Sequence, residues 1–246
     1  MNVAFLSGPD EITAALYLPE AAPSEPKTRL PRPGVVVIHD VWGLYDQYHR
    51  VAQRLARAGF VALALDLYAR GETPGSPADM SGVMKFLQRL PDRRVLGDIQ
   101  AALDYLSARP EVAGCKLGLT GFCMGGKYAD LAAVRCRGLS AVVSWYGMLH
   151  ADAIDDANPE HALDALEALT CPLLAFFGAD DVLIPSSDVE SLRARAQARR
   201  LPVEIVIYPG AGHAFANDSR PDSYRAAAAD DAWQRANAFF ARELAS

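Results

Sequence analysis

The chain has 246 residues, of which 51% are hydrophobic and 22% are charged, a composition typical of a globular protein with ample material for a core. Its net charge of -6 argues against nucleic acid or an anionic membrane surface as a partner. No apolar run approaches the roughly 18 residues of a transmembrane helix, the N-terminus lacks the features of a signal peptide, and four cysteines without C-x-x-C or zinc spacing predict a reducing compartment, the cytoplasm.

Apolar runs alternate with amphipathic segments along the chain. In chain order, the runs that predict strands lie at 12–19, 35–40, 60–67, 116–122, 139–147, 172–178 and 203–210. The segments that predict helices lie at 47–59, at 79–90, from Asp92 to Leu106, from the end of the fourth strand to Arg135, at 186–200 and at 222–243. Stretches rich in proline and glycine predict surface loops at 22–34 and 70–77.

Individual residues predict how three of these helices begin or pack. The helix at 47–59 presents Val51, Leu55 and Ala58 on one face. Asp92 is expected to cap the helix that follows it, and Ser186 is expected to begin the helix at 186–200. These assignments can be checked against the hydrogen bonds at each helix end.

The predicted strands are apolar on both faces and are separated by helices. Such strands belong to a mostly parallel sheet that helices cover on both sides. No internal repeat or change in composition divides the chain. The sequence therefore predicts a single α/β domain spanning residues 1–246.

A cysteine stands among glycines in the segment GFCMGG at 121–126. The segment fits the pattern G-x-nucleophile-x-G, directly after a predicted strand and before a predicted helix. Gly121 and Gly125 leave room for the strained backbone of so sharp a turn. The helix N-terminus favours an anion, which predicts thiolate character at Cys123, and the N–H of Met124 is placed to donate to an oxyanion. The alternative is a buried cysteine in a glycine-rich packing contact.

A cysteine nucleophile needs a base, and the base needs a group that orients it. Asp180 and Asp181 follow the predicted strand at 172–178, and His213 follows the strand at 203–210. The order nucleophile, acid, histidine is the order found in α/β hydrolases. All these residues lie just beyond the carboxyl ends of strands, where open α/β sheets place their sites. Spacing alone does not separate Asp180 from Asp181.

Other polar residues near the predicted strand ends have weaker functional patterns. Asp40 ends the strand at 35–40, where its carboxylate can accept a proton from the thiol or can hydrogen-bond backbone N–H groups. Asp66 is expected to be a structural cap, and His150 has no evident partner. The remaining cysteines are expected to be packing residues: Cys115, Cys136 and Cys171.

Six motifs between Gly34 and the final helix resemble those of the dienelactone hydrolase family, also called carboxymethylenebutenolidases, within the α/β hydrolases. They are VVVIHDVWGL at 35–44, DLY at 66–68, GFCMGG at 121–126, WYG at 145–147, G-x-x-D at 178–181 and GHAF at 212–215. Most α/β hydrolases have serine in the nucleophile turn, whereas this family has cysteine in a G-[FY]-C-[ML]-G-G pattern. The resemblance implies the α/β-hydrolase fold.

The resemblance also implies a role for each matching residue. Cys123 would be the nucleophile, His213 the base and Asp181 the acid that orients it. The backbone N–H groups of Met124 and Val41 would form the oxyanion hole. The expected enzyme hydrolyses an ester or lactone through a thioester acyl-enzyme, with no metal and no organic cofactor.

Two positions depart from the family pattern. Asp40 stands where a glutamate commonly assists deprotonation of the thiol, and its side chain is one methylene shorter. Asn217, four residues after His213, stands where family members have an arginine that binds a substrate carboxylate. The candidate substrate-binding residues are Trp42, Tyr146, Asn217 and Arg70, with Lys85, Arg89 and Arg220 as further possible cations.

Two other functions remain open at this stage. Glutamine amidohydrolases also place cysteine in a G-x-C-x-G turn, but their histidine is usually followed two residues later by an acid, where this chain has Phe215. A non-catalytic relative would bind a small molecule or a protein in the same cleft. The expected partner is a small ester or lactone, bound by a monomer or a small homo-oligomer. A lid would come from 70–90 or from 148–165.

Overall fold

The computed structural model describes residues 1–20, 31–76, 79–151 and 154–245, so most of the loop predicted at 22–34 and the end of the loop at 70–77 lie outside the described residues. The strands are β1 (Asn2–Ser7), β2 (Asp10–Tyr17), β3 (Gly34–Ile38), β4 (Val61–Leu65), β5 (Leu117–Phe122), β6 (Leu139–Trp145), β7 (Leu173–Gly178) and β8 (Val203–Tyr208). The helices are α1 (Asp46–Arg57), α2 (Met80–Arg89), α3 (Asp92–Ser107), α4 (Met124–Arg135), the short α5 (Ala162–Ala165), α6 (Ser186–Arg199) and α7 (Ala226–Glu243).

The eight strands form one sheet in the order β1-β2-β4-β3-β5-β6-β7-β8. Strands β3 to β8 run parallel, and β1 and β2 pair antiparallel at one edge. Every residue of β3, β4, β5 and β7 is buried, which requires helices on both faces of the sheet. This arrangement confirms the predicted α/β fold with a mostly parallel sheet. None of the helices in the described ranges is both long and apolar enough to cross a bilayer.

The antiparallel strand β1 is absent from the sequence prediction. It lies at the edge of the sheet, where its residues alternate between exposed and partly buried positions and pair only with β2. Its apolar residues at 3–6 form a run of only four, shorter than the other strands that the sequence predicts. The four-residue helix α5 is missed for the same reason of length.

Two of the three local predictions about the helices are wrong in detail. Asp92 does not cap α3 but is its first residue, and its carboxylate binds the buried Lys127 Nζ at 2.8 Å. Ser186 is the first residue of α6, as predicted. Ala58 is exposed because α1 ends one residue before it.

The parallel strands bring four predicted site residues to one edge of the sheet. Asp40 follows β3, Cys123 follows β5, Asp181 follows β7 and His213 follows β8. These strands lie within one continuous run of the sheet and point the same way. Their carboxyl ends therefore meet, and a crevice at this edge is where open α/β sheets bind ligands.

Candidate active site

Cys123 occupies a strained turn between β5 and α4. Its φ of 56° and ψ of -115° lie in a region that L-residues rarely adopt. The Cys123 N–H donates to Trp145 O on the neighbouring strand at 2.9 Å, which ties the turn to β6. Such strain persists only where surrounding structure enforces it, and it is concentrated at functional sites.

The glycines of GFCMGG are required by close backbone contacts. A Cβ atom at Gly121 would lie 1.9 Å from Gly125 O, and a Cβ atom at Gly125 would lie 2.4 Å from His39 O. No other residue type fits either position without movement of the backbone. The second contact also shows that the turn packs directly against the segment that follows β3.

The structure joins His213 to Asp181 and not to Asp180. His213 Nδ1 lies 2.8 Å from Asp181 Oδ2. The other oxygen, Asp181 Oδ1, accepts the N–H groups of Leu183 at 2.9 Å and Ile184 at 3.2 Å. Asp180 is exposed. The carboxylate of Asp181 is therefore buried, fixed at both oxygens and able to orient the imidazole.

Burial and the charges of neighbouring residues have opposite effects on the pKa of His213. Burial lowers the pKa of His213, but the negative charge of Cys123 and the hydrogen bond to Asp181 outweigh it and raise the pKa to about 10. Among the described residues, none forms a hydrogen bond of ordinary geometry with the buried Nε2 atom of His213. Because Asp181 binds Nδ1, Nε2 is the nitrogen left to interact with Cys123. A negative charge on the Cys123 sulfur would therefore stabilise the imidazolium form of His213.

Two backbone N–H groups lie beside the cysteine turn without acceptors. Val41 follows β3, which is adjacent to β5, and Met124 is the first residue of α4. Both residues are buried, and neither N–H donates a hydrogen bond within the described part of the chain. Unpaired donors at the N-terminus of a helix are suited to bind an anion.

Asp40 is buried and engaged by groups other than the thiol. Its Oδ1 accepts the Trp42 N–H at 2.9 Å, and its Oδ2 accepts the Tyr45 hydroxyl at 3.0 Å. The same hydroxyl accepts a hydrogen bond from Asn217 Nδ2 at 2.8 Å. Tyr45 therefore links the two positions that depart from the family pattern. Burial, with the charge of Asp40, raises the pKa of Tyr45 to about 12, so the hydroxyl stays protonated. Nothing in the sequence spacing singles out Tyr45.

Two of the predicted substrate-binding residues lie at this edge of the sheet. The Tyr146 ring packs edge-on against the His213 ring, with 5.2 Å between centroids, and Tyr146 has a φ of 41°. Trp42 is half-buried, and the guanidinium carbon of Arg220 lies 5.6 Å from the centroid of its indole ring. Tyr146 is buried beside His213, whereas the half-buried Trp42 exposes part of its indole ring.

The structure does not bring Arg70 to Cys123. Its guanidinium binds both carboxylate oxygens of Asp98, at 2.7 and 2.9 Å, and Asp10 Oδ2 at 2.7 Å. Two ion pairs thus use the donors that a substrate carboxylate would need. The other two cations considered on sequence, Lys85 and Arg89, are exposed on α2.

Residues from both predicted lid segments line one cavity of about 130 Å³, with Met84 from α2 and Met148 among them. His150 also lines it and pairs with Asp188 Oδ2 at 2.8 Å, so the prediction that this histidine lacks a partner is wrong.

The described residues contain no group of three potential ligands placed to hold a metal ion.

Comparison with known proteins gives a family and a fold. Residues 20–244 match the model of the "Dienelactone hydrolase family". The "Putative carboxymethylenebutenolidase" of Escherichia coli strain K12 is 36% identical over 206 residues, which are 83% of this chain and 75% of that protein. The "Probable 2-oxo-3-(5-oxofuran-2-ylidene)propanoate lactonase" of a Bradyrhizobium species is 38% identical over 204 residues, which are 82% of this chain and 80% of that protein.

Solved structures show the same architecture. The "Putative Dienelactone Hydrolase" from Klebsiella pneumoniae superposes with a TM-score of 0.85 at 32% identity, covering 98% of each chain. The "Dienelactone Hydrolase-like Promiscuous Phospotriesterase P91" from metagenomic libraries gives a TM-score of 0.82 at 26% identity, covering 100% of this chain and 98% of that one. These similarities extend over the whole sheet and not only over the motifs.

Proposed function

This chain belongs to the dienelactone hydrolase family, and from that membership we propose that it hydrolyses a small ester or lactone with Cys123, His213 and Asp181 as its catalytic residues. One observation carries the proposal. The hydrogen bond from His213 to the buried Asp181 leaves the second imidazole nitrogen to the cysteine on the strained turn. This arrangement supports the order nucleophile, base and orienting acid that covalent catalysis requires.

In the first half of the proposed reaction, the Cys123 thiolate attacks the carbonyl carbon of the substrate. A C–S bond forms, and the carbonyl π electrons move onto oxygen. The N–H groups of Val41 and Met124 donate to this oxyanion. Removal of one such donor typically costs roughly 2.7–4 kcal/mol of transition-state stabilisation.

In the second half, the tetrahedral intermediate collapses and the C–O bond to the leaving oxygen breaks. The leaving oxygen takes the proton of His213 Nε2, and a thioester remains on Cys123. His213 then removes a proton from water, which attacks the thioester and releases the acid and the thiolate. From a lactone, the leaving oxygen stays attached to the acyl group, so one hydroxy acid is the sole product.

A thiolate paired with an imidazolium suits substrates with good leaving groups. The raised pKa of His213 keeps the imidazole protonated near neutral pH, so a proton for the leaving oxygen is in place when substrate binds. The same high pKa makes His213 a weak acid toward a poor leaving group such as an amide nitrogen. Activated esters and enol lactones are therefore the expected substrates.

The names of the relatives refer to unsaturated lactones that carry a carboxylate, and Arg220 is the candidate cation to bind one. Arg220 stacks on Trp42, and none of the described carboxylates forms a salt bridge with it. Its charge opposes the upward pKa shifts of Tyr45, which contacts Asp40, and of Tyr146, which packs against His213. We infer that Arg220 takes the role of the arginine that family members have at the position of Asn217.

Release of p-nitrophenol from p-nitrophenyl acetate tests the proposal. The wild type is expected to turn over, and Cys123→Ala is expected to lose all turnover while it remains folded by circular dichroism. Asp181→Asn should lose most activity, whereas Asp180→Asn is the matched control because Asp180 is an exposed neighbour. Normal turnover by a folded Cys123→Ala variant would show that the chemistry lies elsewhere.

Two further assays test the alternative functions. Ammonia release from glutamine would support an amidohydrolase, although Phe215, at the position of the second acid, is fully buried. Alkylation by iodoacetamide tests the non-catalytic alternative. Cys123 should react before Cys136 and Cys171, because burial raises the pKa of Cys136 to about 12 and of Cys171 to about 11. An unreactive Cys123 would favour a binding protein.

A further inference from the structure

We propose that His39 and Tyr68 are positioning residues that hold the two peptide groups on either side of Val41 and so aim the Val41 N–H at the oxyanion. This inference rests on the proposed function, which assigns that N–H to the oxyanion hole. Neither side chain is required to touch the substrate. They act through the backbone of the segment that follows β3.

The hydrogen bonds around His39 fix its tautomer. The ring is completely buried, and the Leu67 N–H donates to Nε2 at 3.1 Å. A nitrogen that accepts a hydrogen bond carries no proton, so the proton of the neutral ring is on Nδ1. Nδ1 lies 2.6 Å from Asp40 O, to which it therefore donates. Burial lowers the pKa of His39, and the ring is neutral at physiological pH.

The bond from His39 determines the direction of the Val41 N–H. Asp40 C=O and Val41 N–H belong to one planar trans peptide, in which the two groups point in opposite directions. His39 Nδ1 holds the oxygen of this peptide on one side, and the Gly43 N–H also donates to it at 3.3 Å. If the peptide turned over, a carbonyl oxygen would replace the donor and would repel the oxyanion.

Tyr68 holds the next peptide group. Its hydroxyl donates to Val41 O at 2.9 Å and lies 3.4 Å from Met124 Sδ, so it contacts both residues of the proposed oxyanion hole. Tyr68 also packs edge-on against the His39 ring, with 4.9 Å between centroids. Burial raises the pKa of Tyr68 far above its usual value, which keeps the hydroxyl a donor.

The DLY segment at 66–68 supplies the groups that anchor both positioning side chains. Asp66 Oδ1 accepts the Tyr68 N–H at 2.9 Å, and the Leu67 N–H fixes His39. The segment directly follows β4, the neighbour of β3 in the sheet. The adjacent parallel strands β3 and β4 therefore place the Val41 peptide next to the residues that hold it. This gives the DLY motif a role, although none of its residues belongs to the proposed triad.

A pair of amide substitutions at His39 separates positioning from simple packing. His39→Asn keeps a nitrogen donor near the Nδ1 position and loses the acceptor for Leu67 N–H. His39→Gln keeps an acceptor near the Nε2 position and loses the donor to Asp40 O. Each variant loses one buried hydrogen bond, so we expect similar losses of stability from the two.

Their catalytic effects should differ. With p-nitrophenyl acetate, His39→Gln should lower kcat/KM by roughly 10²-fold, the effect expected when an oxyanion donor is lost. His39→Asn should stay within about tenfold of the wild type, since the donor that fixes the peptide remains. Equal losses in both variants, or wild-type kcat/KM in a folded His39→Gln, would overturn the role of His39.

The rate of Cys123 alkylation by iodoacetamide shows which step is affected. Alkylation forms no oxyanion, so it should proceed at the wild-type rate in His39→Gln although acylation is slow. A parallel fall in alkylation would mean that the cysteine turn itself is disturbed and would contradict the proposal. Failure of the whole proposed function gives a different result, because Cys123→Ala would then keep its turnover.

Tyr68→Phe provides the second test if the His39 variants do not fold. It removes only the hydroxyl that donates to Val41 O and leaves the ring in place. The expected result is a fall of about tenfold in kcat/KM with unchanged alkylation of Cys123. Wild-type kcat/KM in Tyr68→Phe, when the His39 variants are unfolded or unchanged, would overturn the proposal.

Discussion

At the residue scale, Asp40 stands where the family commonly has a glutamate, and its carboxylate binds groups other than the Cys123 thiol. Both oxygens of Asp40 are engaged, one by the Trp42 N–H and the other by the Tyr45 hydroxyl that Asn217 supports. Among the described contacts, neither oxygen of Asp40 forms a hydrogen bond with the Cys123 thiol. We therefore expect His213, not Asp40, to take the proton of the Cys123 thiol.

The first residue-scale prediction concerns Arg220. Arg220→Gln should raise KM about tenfold or more for an unsaturated lactone that carries a carboxylate, because a charge-assisted hydrogen bond of roughly 1.5–3 kcal/mol would be lost. Turnover of uncharged p-nitrophenyl acetate should not change. Steady-state kinetics with both substrates measure the effect. Arg57→Gln, at an exposed arginine of α1, is the control. Equal KM values for the lactone in the wild type and in Arg220→Gln would exclude Arg220 as the anion-binding group.

The site residues differ in how far the sequence predicts them. Cys123 and His213 can be predicted because each directly follows a strand and the carboxyl ends of parallel strands meet. Asp181 cannot be separated from Asp180 by spacing, since the choice depends on which carboxylate turns inward. The sequence does not predict that Arg70 binds Asp98 or that Tyr45 binds Asn217, because the two residues of each pair are far apart in the chain.

At the scale of elements, α4 carries two ionisable side chains into the core. Its residues are buried from Met124 through Ala133, including Lys127 and Asp130. Lys127 Nζ binds Asp92 Oδ1 at 2.8 Å and Asn158 Oδ1 at 2.7 Å. The helix that follows the nucleophile is thereby tied to the start of α3 and to the segment before α5. Because Lys127 lies one turn beyond Cys123, the tie also holds the cysteine turn.

We predict that Lys127→Met destabilises the protein by about 3–5 kcal/mol, because the buried Asp92 carboxylate would lose its counter-charge. Arg135→Met is the control on the same helix: its pair with Glu160 is surface-exposed, so the loss should stay within about 1 kcal/mol. Urea unfolding monitored by circular dichroism measures both. Addition of Asp92→Asn to Lys127→Met should recover part of the loss. Similar free energies of unfolding for the two single variants would show that the buried pair is not a stabilising tie.

The sequence predicts the fully buried strands better than the strand at the edge of the sheet. Strands β3, β4, β5 and β7 are continuous apolar runs because both faces are covered, and a run of that kind is visible in the sequence. The edge strand β1 is not such a run. The sequence predicts helix ends less well. Asp92 could either cap a helix or bind a lysine, and nothing in the sequence indicates that Lys127 lies in the core.

At the scale of the whole molecule, the sequence predicts a parallel sheet but not its strand order. The chain runs from β3 to β4 and then crosses back past β3 to β5, so that β3 lies between them. No local pattern encodes this crossover, because it depends on β3 pairing with both β4 and β5, which lie far apart in the chain. The crossover creates the crevice beside β3 and β5, and it places Val41 next to Cys123. The site is thus a consequence of topology as much as of motif.

The last prediction concerns the dependence of global stability on pH, to which Asp130 contributes. Neither of its carboxylate oxygens forms a hydrogen bond of ordinary geometry with the part of the chain that the structure describes. Burial raises its pKa from the usual 3.8 to about 8, with a small opposing effect of Ser144. Between these two values the folded state holds a proton that the unfolded chain has released. Stability is therefore lost as the pH rises through this window, by about 1.4 kcal/mol for each pH unit.

Asp130→Asn should remove this dependence, because an amide does not titrate. The difference in free energy of unfolding between the variant and the wild type should shift toward the variant by about 3 kcal/mol from pH 5 to pH 7. Other groups, His213 among them, titrate alike in both proteins and cancel in the difference. Urea unfolding at the two pH values measures it. A difference that is the same at pH 5 and pH 7 would mean that Asp130 is already ionised in the folded protein, with a counter-charge or water molecule beside it.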